Sequence, residues 1–476
     1  PLNELGDVRP ITTINKNLGG ATVSPYTPTI GAATGLPNTG LLVKSTGKIL
    51  SVDSQGFFIS DISLPAAQFP LGVRVIGSLA YSMNVGSWVT VTGISTTALV
   101  GNVNYPAIRE LIGVSLAQYQ SQYQEIQTAP IIFDGFISGN RTWMIAFGAR
   151  LYYSDDWLQS APILKYTFPS GSDRLTGLFV TSQGTIFVSS KGNGIVYRST
   201  DNGSTFTPVF TMPLSGSTAV GGCGLFNNWG FDEGPDGTLY MGQYHFQSVT
   251  TNSAYLFWSS DNGTTWNPFP AWNSAMAGKR RHIHQVKVDQ FGSSRVWWSC
   301  GDAKRETYYS DDKGVTYHLL MPHLSGGQTG FTWVGQTRLW GDDLPRWDSS
   351  LPNVIKSTTD DVSFKTLYTP QSVNNVPIYD LAATEDGKEV WGAAYEGGAD
   401  FPDRRGALVC STNGGQSFFV FGETQDYRTL GIDFDYYRIF RGRHGIIPST
   451  CPYIFVVPTQ DETQKRVIRI QRITAP

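Results

Sequence analysis

The chain has 476 residues with a formal net charge of -3; 40% are hydrophobic, 13% aromatic and only 15% charged, and 52 are Gly and 26 Pro. This balance excludes a basic nucleic-acid-binding surface, no segment is apolar for long enough to form a membrane-spanning helix, and the length allows two or three domains. Many glycines and prolines with abundant aromatics suit an all-β chain rich in tight turns.

The first 105 residues are expected to form a small β-rich domain. Candidate strands are Gly40–Lys44, Gly56–Ser60 and Ser87–Val91, separated by Gly, Thr, Ser and Pro. The opening PLNELGDVRP lacks the basic and apolar regions of a secretory signal, and Pro1 is compatible with removal of an initiator Met, so the reading expects no leader. Residues 106–128 change character. Ile112, Leu116, Tyr119, Tyr123 and Ile126 are spaced 4, 3, 4, 3 with Gln filling the gaps. That spacing predicts a short helical linker, either a coiled-coil seam or an amphipathic helix packed on a neighbour.

From residue 129 onward a short phrase recurs. It reads Ser199-Thr200-Asp201-Asn202-Gly203-Ser204-Thr205-Phe206, then Ser259 to Trp266, then Ser310 to Tyr317, with the form S-x-D-x-G-x-T-aromatic. Asp accepts backbone N–H groups within the turn, Gly takes a left-handed conformation, and the aromatic anchors the turn on the strands beneath. Degraded copies stand at Ser154-Asp155-Asp156, at Ser357 to Phe364 with Thr359 in the Asp slot, at Ser411 to Phe418, and at Thr459-Gln460-Asp461. Aromatic-rich strands precede them at Trp143–Ala146, Thr185–Val188, Thr238–Met241, Arg295–Trp298, Thr337–Trp340, Glu389–Gly392 and Tyr437–Phe440. Seven strands and seven turns, about fifty residues apart, predict an array of seven four-stranded units, with six as the alternative. The phrase resembles the Asp-box of sialidase-like β-propellers, which implies a propeller over 129–476 with each box between the third and fourth strands of a blade.

On that geometry the opposite face carries the variable loops, where binding groups concentrate. Its strongest local signal is Lys279-Arg280-Arg281-His282-Ile283-His284, followed by Gly301-Asp302. Alternation puts His282 and His284 on one side of a strand, where Arg281 and Asp302 can join them. The H-x-H with a following G-D resembles a pattern in sialidase-like repeat proteins. Two histidines at i, i+2 can also ligate a metal, but no third ligand stands out, so neither metal nor cofactor is expected. Ordinary structural histidines are an equal reading. Arg174, Trp229, Tyr379, Glu396, Arg428 and Arg443 are further ligand candidates on the same face, together with Asp173, Asp232, His245, Trp347, Asp380, Tyr395, Arg404, Arg405 and His444. Aromatic faces stack on sugars and Arg forks hold carboxylates, so the mixture suits a glycan. Cys223, Cys300, Cys410 and Cys451 form no C-x-x-C pair and are expected to be buried apolar residues.

Sialidases also carry an early F/Y-R-I-P motif and an arginine triad. Here Tyr437-Arg438-Ile439-Phe440 lies late and lacks the Pro, and no triad maps onto the chain, so sialidase activity is not expected. Propeller glycosidases of another kind use two carboxylates, for which Asp173, Asp232, Asp302, Asp380 and Glu396 are candidates without a selected pair; Asp302, Glu396 and His282 are the catalytic candidates. The order of a β-rich leading part, a Gln-rich seam and a propeller resembles viral or phage fibre proteins. That layout implies a homotrimeric virion protein, made in the host cytoplasm. Its leading domain would meet other virion proteins, and its propeller would bind a host cell-surface glycan or receptor. A depolymerase of host polysaccharide is the alternative.

Overall fold

A computed structural model describes residues 42–472, except 54–55, 61–71, 77–84, 87, 102, 111–116, 120–122, 129, 170–173, 192, 214–222, 226–228, 246–253, 277–281, 302–303, 324, 345–351, 370–376, 395, 398–406, 417, 424–433, 436 and 459–465. Almost every described element is a strand; one α-helix, Pro270–Met276, is the exception of any length. Two compact units are present. One comprises residues 1–122 with 409–412 and 416–423, and the other the remainder.

In the first unit, six strands run in the order Leu42–Asp53, Gly56–Ser60, Val73–Ile76, Val103–Glu110, Trp88–Val100, Ala117–Tyr119. Leu42–Asp53 also pairs with Trp88–Val100, which turns five of these strands into a closed ring. One pairing, Val73–Ile76 with Val103–Glu110, is parallel. A bulge between Ile49 and Ser51 bends the long first strand so that it can serve both neighbours. Ile49, Phe57, Ile59, Val75, Val89, Val91 and Ile108 fill the interior.

The predicted helical linker over 106–128 is not what forms. Residues Val103–Glu110, Ala117–Tyr119 and Tyr123–Gln127 are all strands, whereas Ile112 and Leu116 of the seam lie outside the described residues. Tyr123–Gln127 instead pairs antiparallel with Arg466–Gln471, Ile126 standing opposite Val467. A 4-3 spacing over so few residues does not outweigh a strand edge that needs a partner.

The second unit is a β-propeller. Among the described residues, seven sheets of four or five strands follow along the chain beside two two-stranded pairs, and we number the seven I to VII. Sheet I contains Ile132–Ser138, Arg141–Ala146, Arg150–Ser154 and Ile163–Thr167; sheet II, Leu175–Val180, Ile186–Ser190, Ile195–Ser199 and Thr207–Thr211. Sheet III contains Phe231–Glu233, Leu239–Gly242, Leu256–Ser259 and Asn267–Pro268; sheet IV, Ile283–Val288, Val296–Cys300, Thr307–Ser310 and His318–Met321. Sheet V contains Gly330–Val334, Thr337–Gly341, Ile355–Thr358 and Lys365–Tyr368. Sheet VI starts with Ile378–Thr384 and Val390–Ala394, and Ile446–Ile447 lies parallel to its first strand. Sheet VII joins Tyr437–Ile439, Tyr453–Pro458 and Arg466–Gln471 to Tyr123–Gln127. Its second strand is therefore Tyr453–Pro458, and Tyr437–Ile439, part of the aromatic-rich strand read above as preceding the last box, begins the sheet.

The boxes lie where the repeat places them, between third and fourth strands, and their bonding is the same three times over. Ser199 Oγ donates to Asp201 Oδ1 (2.7 Å) and accepts from the Gly203 N–H (2.9 Å), while the Thr205 N–H and hydroxyl both donate to Asp201. Ser259, Asp261, Gly263 and Thr265 repeat this set, as do Ser310, Asp312, Gly314 and Thr316. Gly263 has φ +75, and a Cβ there would stand 2.3 Å from the Phe187 ring of the preceding sheet. Trp266 meets the same Phe187 edge-on, so box and aromatic knit neighbouring sheets together. The fifth copy is shifted by one residue from the predicted frame. Thr358 and Asp360, not Ser357 and Thr359, make its bonds. The seventh candidate, Thr459 to Asp461, lies outside the described residues and between the second and third strands of sheet VII. That sheet takes its fourth strand from residues 123–127, so it has no continuous turn in which a box could form.

The box carboxylates predict an acid response. Backbone and side-chain donation by Thr265 holds the Asp261 carboxyl at about 2, against an ordinary 3.8. A depressed carboxyl contributes stability fully above its unfolded value and loses it as pH falls through the folded one. The urea midpoint is thus expected to stay level from pH 7 to about 4 and to drop between about 4 and 2. Asp261→Asn should remove part of that drop; an unchanged pH profile would contradict the assignment.

Candidate functional site

In each sheet the first strand enters from the face opposite the boxes, and on that face sheets III, IV and V bring a histidine cluster together. His282 precedes the first strand of sheet IV, and a register shift between Ile283 and Gln285 bulges that strand at His284. Alternation then sets both imidazoles on one side, as predicted, with Nε2 facing Nε2 at 2.9 Å. His282 Nδ1 lies 3.0 Å from the His245 carbonyl oxygen. Tyr244 stacks on His282 with centroids 3.9 Å apart and planes 16° apart. His284 Nδ1 faces Asp343 Oδ2 at 3.6 Å, and Arg305 Nε approaches the same oxygen at 4.0 Å. The backbone N–H of Arg305 in turn donates to His323 Nδ1.

Gly301 makes this possible. A Cβ there would stand 2.0 Å from His284 Nε2 and 2.4 Å from His282 Nε2, so only glycine lets the strand end abut both rings. His282 is fully buried and His284 3% exposed, whereas Tyr244 is half-buried and Asp343 keeps 14% of its side chain exposed. The imidazoles thus form the floor of this region, and Tyr244 and Asp343 stand nearer solvent. Among the described residues no group of three or more His, Cys, Asp or Glu is arranged to hold a metal ion.

A second cluster lies on the propeller axis, where the first strands meet. Trp229 Nε1 donates to Asp380 Oδ1 (3.3 Å) and its ring meets Tyr379 edge-on at 4.9 Å, joining sheets III and VI. Asp380 is ion-paired with Arg441 and also accepts the Ile439 N–H. Asp232 accepts the Val288 N–H and pairs with His444. Burial alone would raise the Asp232 carboxyl, but His444 and Lys287 outweigh it and bring it to about 2. Burial lowers Lys287 to about 8 and raises Asp134 to about 6. Residues 441–447 cross this axis from the box side. Ile137 of sheet I donates to the Arg441 carbonyl, Thr332 of sheet V to the Gly445 carbonyl, and Ile446 pairs beside Ala383 of sheet VI. His444 adopts φ 59 within this plug.

The other predicted ligand residues separate. Trp229 is 1% exposed and so offers no open face for a sugar; it is a packing residue of the axis. Asp232 and Asp380 are buried there with it. Arg174 stacks over Phe133 at 4.7 Å at the mouth of sheet II, on the expected face. Arg443 and His444 fall on the box side, because their loop joins the first and second strands of sheet VII; Arg443 reaches Glu233 there at 3.4 Å. Glu396 belongs to a two-residue strand paired with Phe434–Asp435, its side chain outside the description. Arg281, Asp302, Arg428, Asp173, Trp347, Tyr395, Arg404 and Arg405 lie outside the described residues. Cys300, Cys410 and Cys451 are buried free thiols. Tyr244, Arg305 and Asp343 were not singled out from sequence; only Gly301, in the Gly-Asp after the second strand of sheet IV, pointed near them.

No protein-family model matches the chain, and no curated protein does. Solved β-propeller structures do. YCF48 bound to D1 peptide is 15% identical over 74% of this chain and 97% of its own, with a TM-score of 0.46. Virginiamycin B lyase from Staphylococcus aureus is 11% identical over 74% and 100%, with a TM-score of 0.48. The GH74 xyloglucanase from Xanthomonas campestris is 13% identical over 75% and 54%, also with 0.48. These likenesses concern the fold alone, and the three proteins do different things.

Proposed function

We propose that the chain is a virion fibre or receptor-binding protein whose seven-bladed propeller binds a host cell-surface glycan on the face opposite the boxes. The observation that carries the binding site is the cluster at the end of sheet IV. There Gly301 seats His282 and His284, and Tyr244, Asp343 and Arg305 surround them with an aromatic ring, a carboxylate and a guanidinium. Those are the group types that grip a polyhydroxylated, partly charged ligand. The particle assignment rests on layout: a non-repetitive β-rich leading part, then an Asp-box propeller.

Binding is favoured over hydrolysis by the carboxylates among the described residues, to which the side chains of Asp302 and Glu396 do not belong. A glycosidase needs two of them facing across a cleft. Asp201, Asp261 and Asp312 are engaged in turns, and Asp232 and Asp380 in buried ion pairs on the axis. On a glycan array the full chain is expected to bind without releasing reducing ends. Tyr244→Ala and Arg305→Ala should weaken binding at least about tenfold, which is about 1.4 kcal/mol; Asp261→Asn should not. Release of product, abolished by Asp302→Asn or Glu396→Gln, would turn the reading to a depolymerase. A folded chain sedimenting as a monomer would remove the homotrimer.

A further inference from the structure

We infer that the residue following each box aspartate is a clasp that fastens its sheet to the sheet before it, with a chemistry matched to that one neighbour. The position is set by the turn. In the boxes of sheets II to V it holds Asn202, Asn262, Lys313 and Asp361, at φ 58, 55, 56 and 62, and Gly414 occupies it in sheet VI at φ 68. Residues other than glycine rarely take this left-handed conformation. Here all four that do so turn their side chains onto the preceding sheet.

The partner position recurs as well. It is the residue that opens, or immediately precedes, the second strand of the preceding sheet: Arg141, Thr185, Thr238 and Arg295. Arg141 Nη1 donates to Asn202 Oδ1 at 2.8 Å, and Asn262 Nδ2 to Thr185 Oγ1 at 2.8 Å. Lys313 Nζ donates to Thr238 Oγ1 at 3.4 Å, and Arg295 Nη1 to Asp361 Oδ2 at 3.1 Å. The two arginine clasps agree in further detail. Each arginine grips the residue before its own sheet's box aspartate through Nε and Nη2, Arg141 on Asp155 and Arg295 on Asp311. Each also lies over a third-strand tyrosine, Tyr153 at 4.5 Å and Tyr309 at 4.1 Å. A bidentate carboxylate and a ring face hold the guanidinium in place, and Nη1 crosses the seam.

The chemistry differs from seam to seam. Asp361 accepts Trp297 Nε1 from sheet IV at 3.0 Å, and Arg338 of its own sheet holds its other oxygen at 2.9 Å. Lys313 instead lies over the Trp258 ring of sheet III at 4.9 Å. It also reaches Asp236, whose carboxyl burial would raise; donation from Thr238 and the charge of Lys313 bring it below its ordinary value. Exchanging the two clasp residues would set an ammonium against two guanidiniums at one seam and a carboxylate against Asp236 at the other. Charge therefore tells neighbouring sheets apart, and a sheet docked in the wrong place meets a mismatched clasp.

The test is urea unfolding of the full chain carrying Lys313→Asp or Asp361→Lys, beside Lys313→Gly and Asp361→Gly. Glycine accepts this backbone conformation without strain, so it removes the clasp and leaves the turn. Each exchanged variant is expected to have an unfolding constant at least about fivefold above that of the glycine variant at the same position, the mark of like charges held close. Equal or smaller constants would overturn the matching. In an Arg295→Met background, Asp361→Gly should raise the unfolding constant by a factor at least about twofold smaller than in the unmodified chain. An equal factor would overturn the clasp. Should the variants at position 361 fail to fold, the more exposed pair decides the matter through Arg141→Met and Asn202→Gly, where additive effects would overturn it in the same way.

Discussion

Replacing Asp380 with Ala is expected to destabilise the propeller by about 3–5 kcal/mol, the usual cost of stranding a buried charge. Its partner Arg441 is 1% exposed at the side chain, and Asp380 itself 3%. The carboxylate also receives Trp229 Nε1 and the N–H groups of Leu381 and Ile439, so the substitution takes an acceptor from three donors as well as a counter-ion from the guanidinium. The bond from Arg441 to the Leu381 carbonyl persists but cannot neutralise the guanidinium. A double change, Asp380→Leu with Arg441→Met, should recover more than half of the loss, because an apolar pair avoids desolvating two charges. Urea denaturation of the unmodified chain, Asp380→Ala and the double variant measures both quantities. A single-site loss below about 1 kcal/mol would mean that water reaches the axis and that residues 441–447 do not seal it.

How far the fold could be read from the chain depended on the range of the bonds involved. The boxes were legible because every contact runs from residue i to i+2 or i+4, within one turn. The frame failed first where Ser357 and Thr358 adjoin, since either hydroxyl could stand in the Ser slot. It failed again in sheet VII, for a different reason. Reading Tyr437–Phe440 as the strand ahead of a last box placed Arg443 and His444 on the wrong face, because that strand begins the sheet. The true order depends on Tyr123–Gln127 arriving from the other end of the propeller, which no local pattern encodes. The site divides in the same way. His282 and His284 followed from two-residue alternation within one strand, a local rule. Asp343 joins them from the end of the second strand of sheet V, and Tyr244 from sheet III, through the packing of neighbouring sheets. Trp229 was misjudged because an aromatic near a loop reads alike whether it faces solvent or plugs an axis.

A polypeptide beginning after residue 128 is expected to lose the cooperative unfolding of the propeller, whereas one beginning at residue 120 keeps it. In sheet VII, Tyr123 stands opposite Ile470, Gln124 opposite Arg469, Glu125 opposite Ile468, Ile126 opposite Val467 and Gln127 opposite Arg466. Removing that strand exposes the backbone of Arg466–Gln471 along one edge. With about four backbone bonds at ~1 kcal/mol each, the loss approaches a large share of a domain's net stability. The bared strand is also rich in apolar residues, with Val467, Ile468 and Ile470 buried in the intact sheet, so self-association should accompany the loss. A peptide covering residues 120–130, supplied in trans, should restore monodispersity and the unfolding midpoint by refilling the edge. A scrambled peptide of the same composition should not, because register and alternation are lost. If the shortened chain unfolds as cooperatively as the longer one, the closing strand is dispensable, and the ring is held by the axial ion pairs and the loop at residues 441–447 alone.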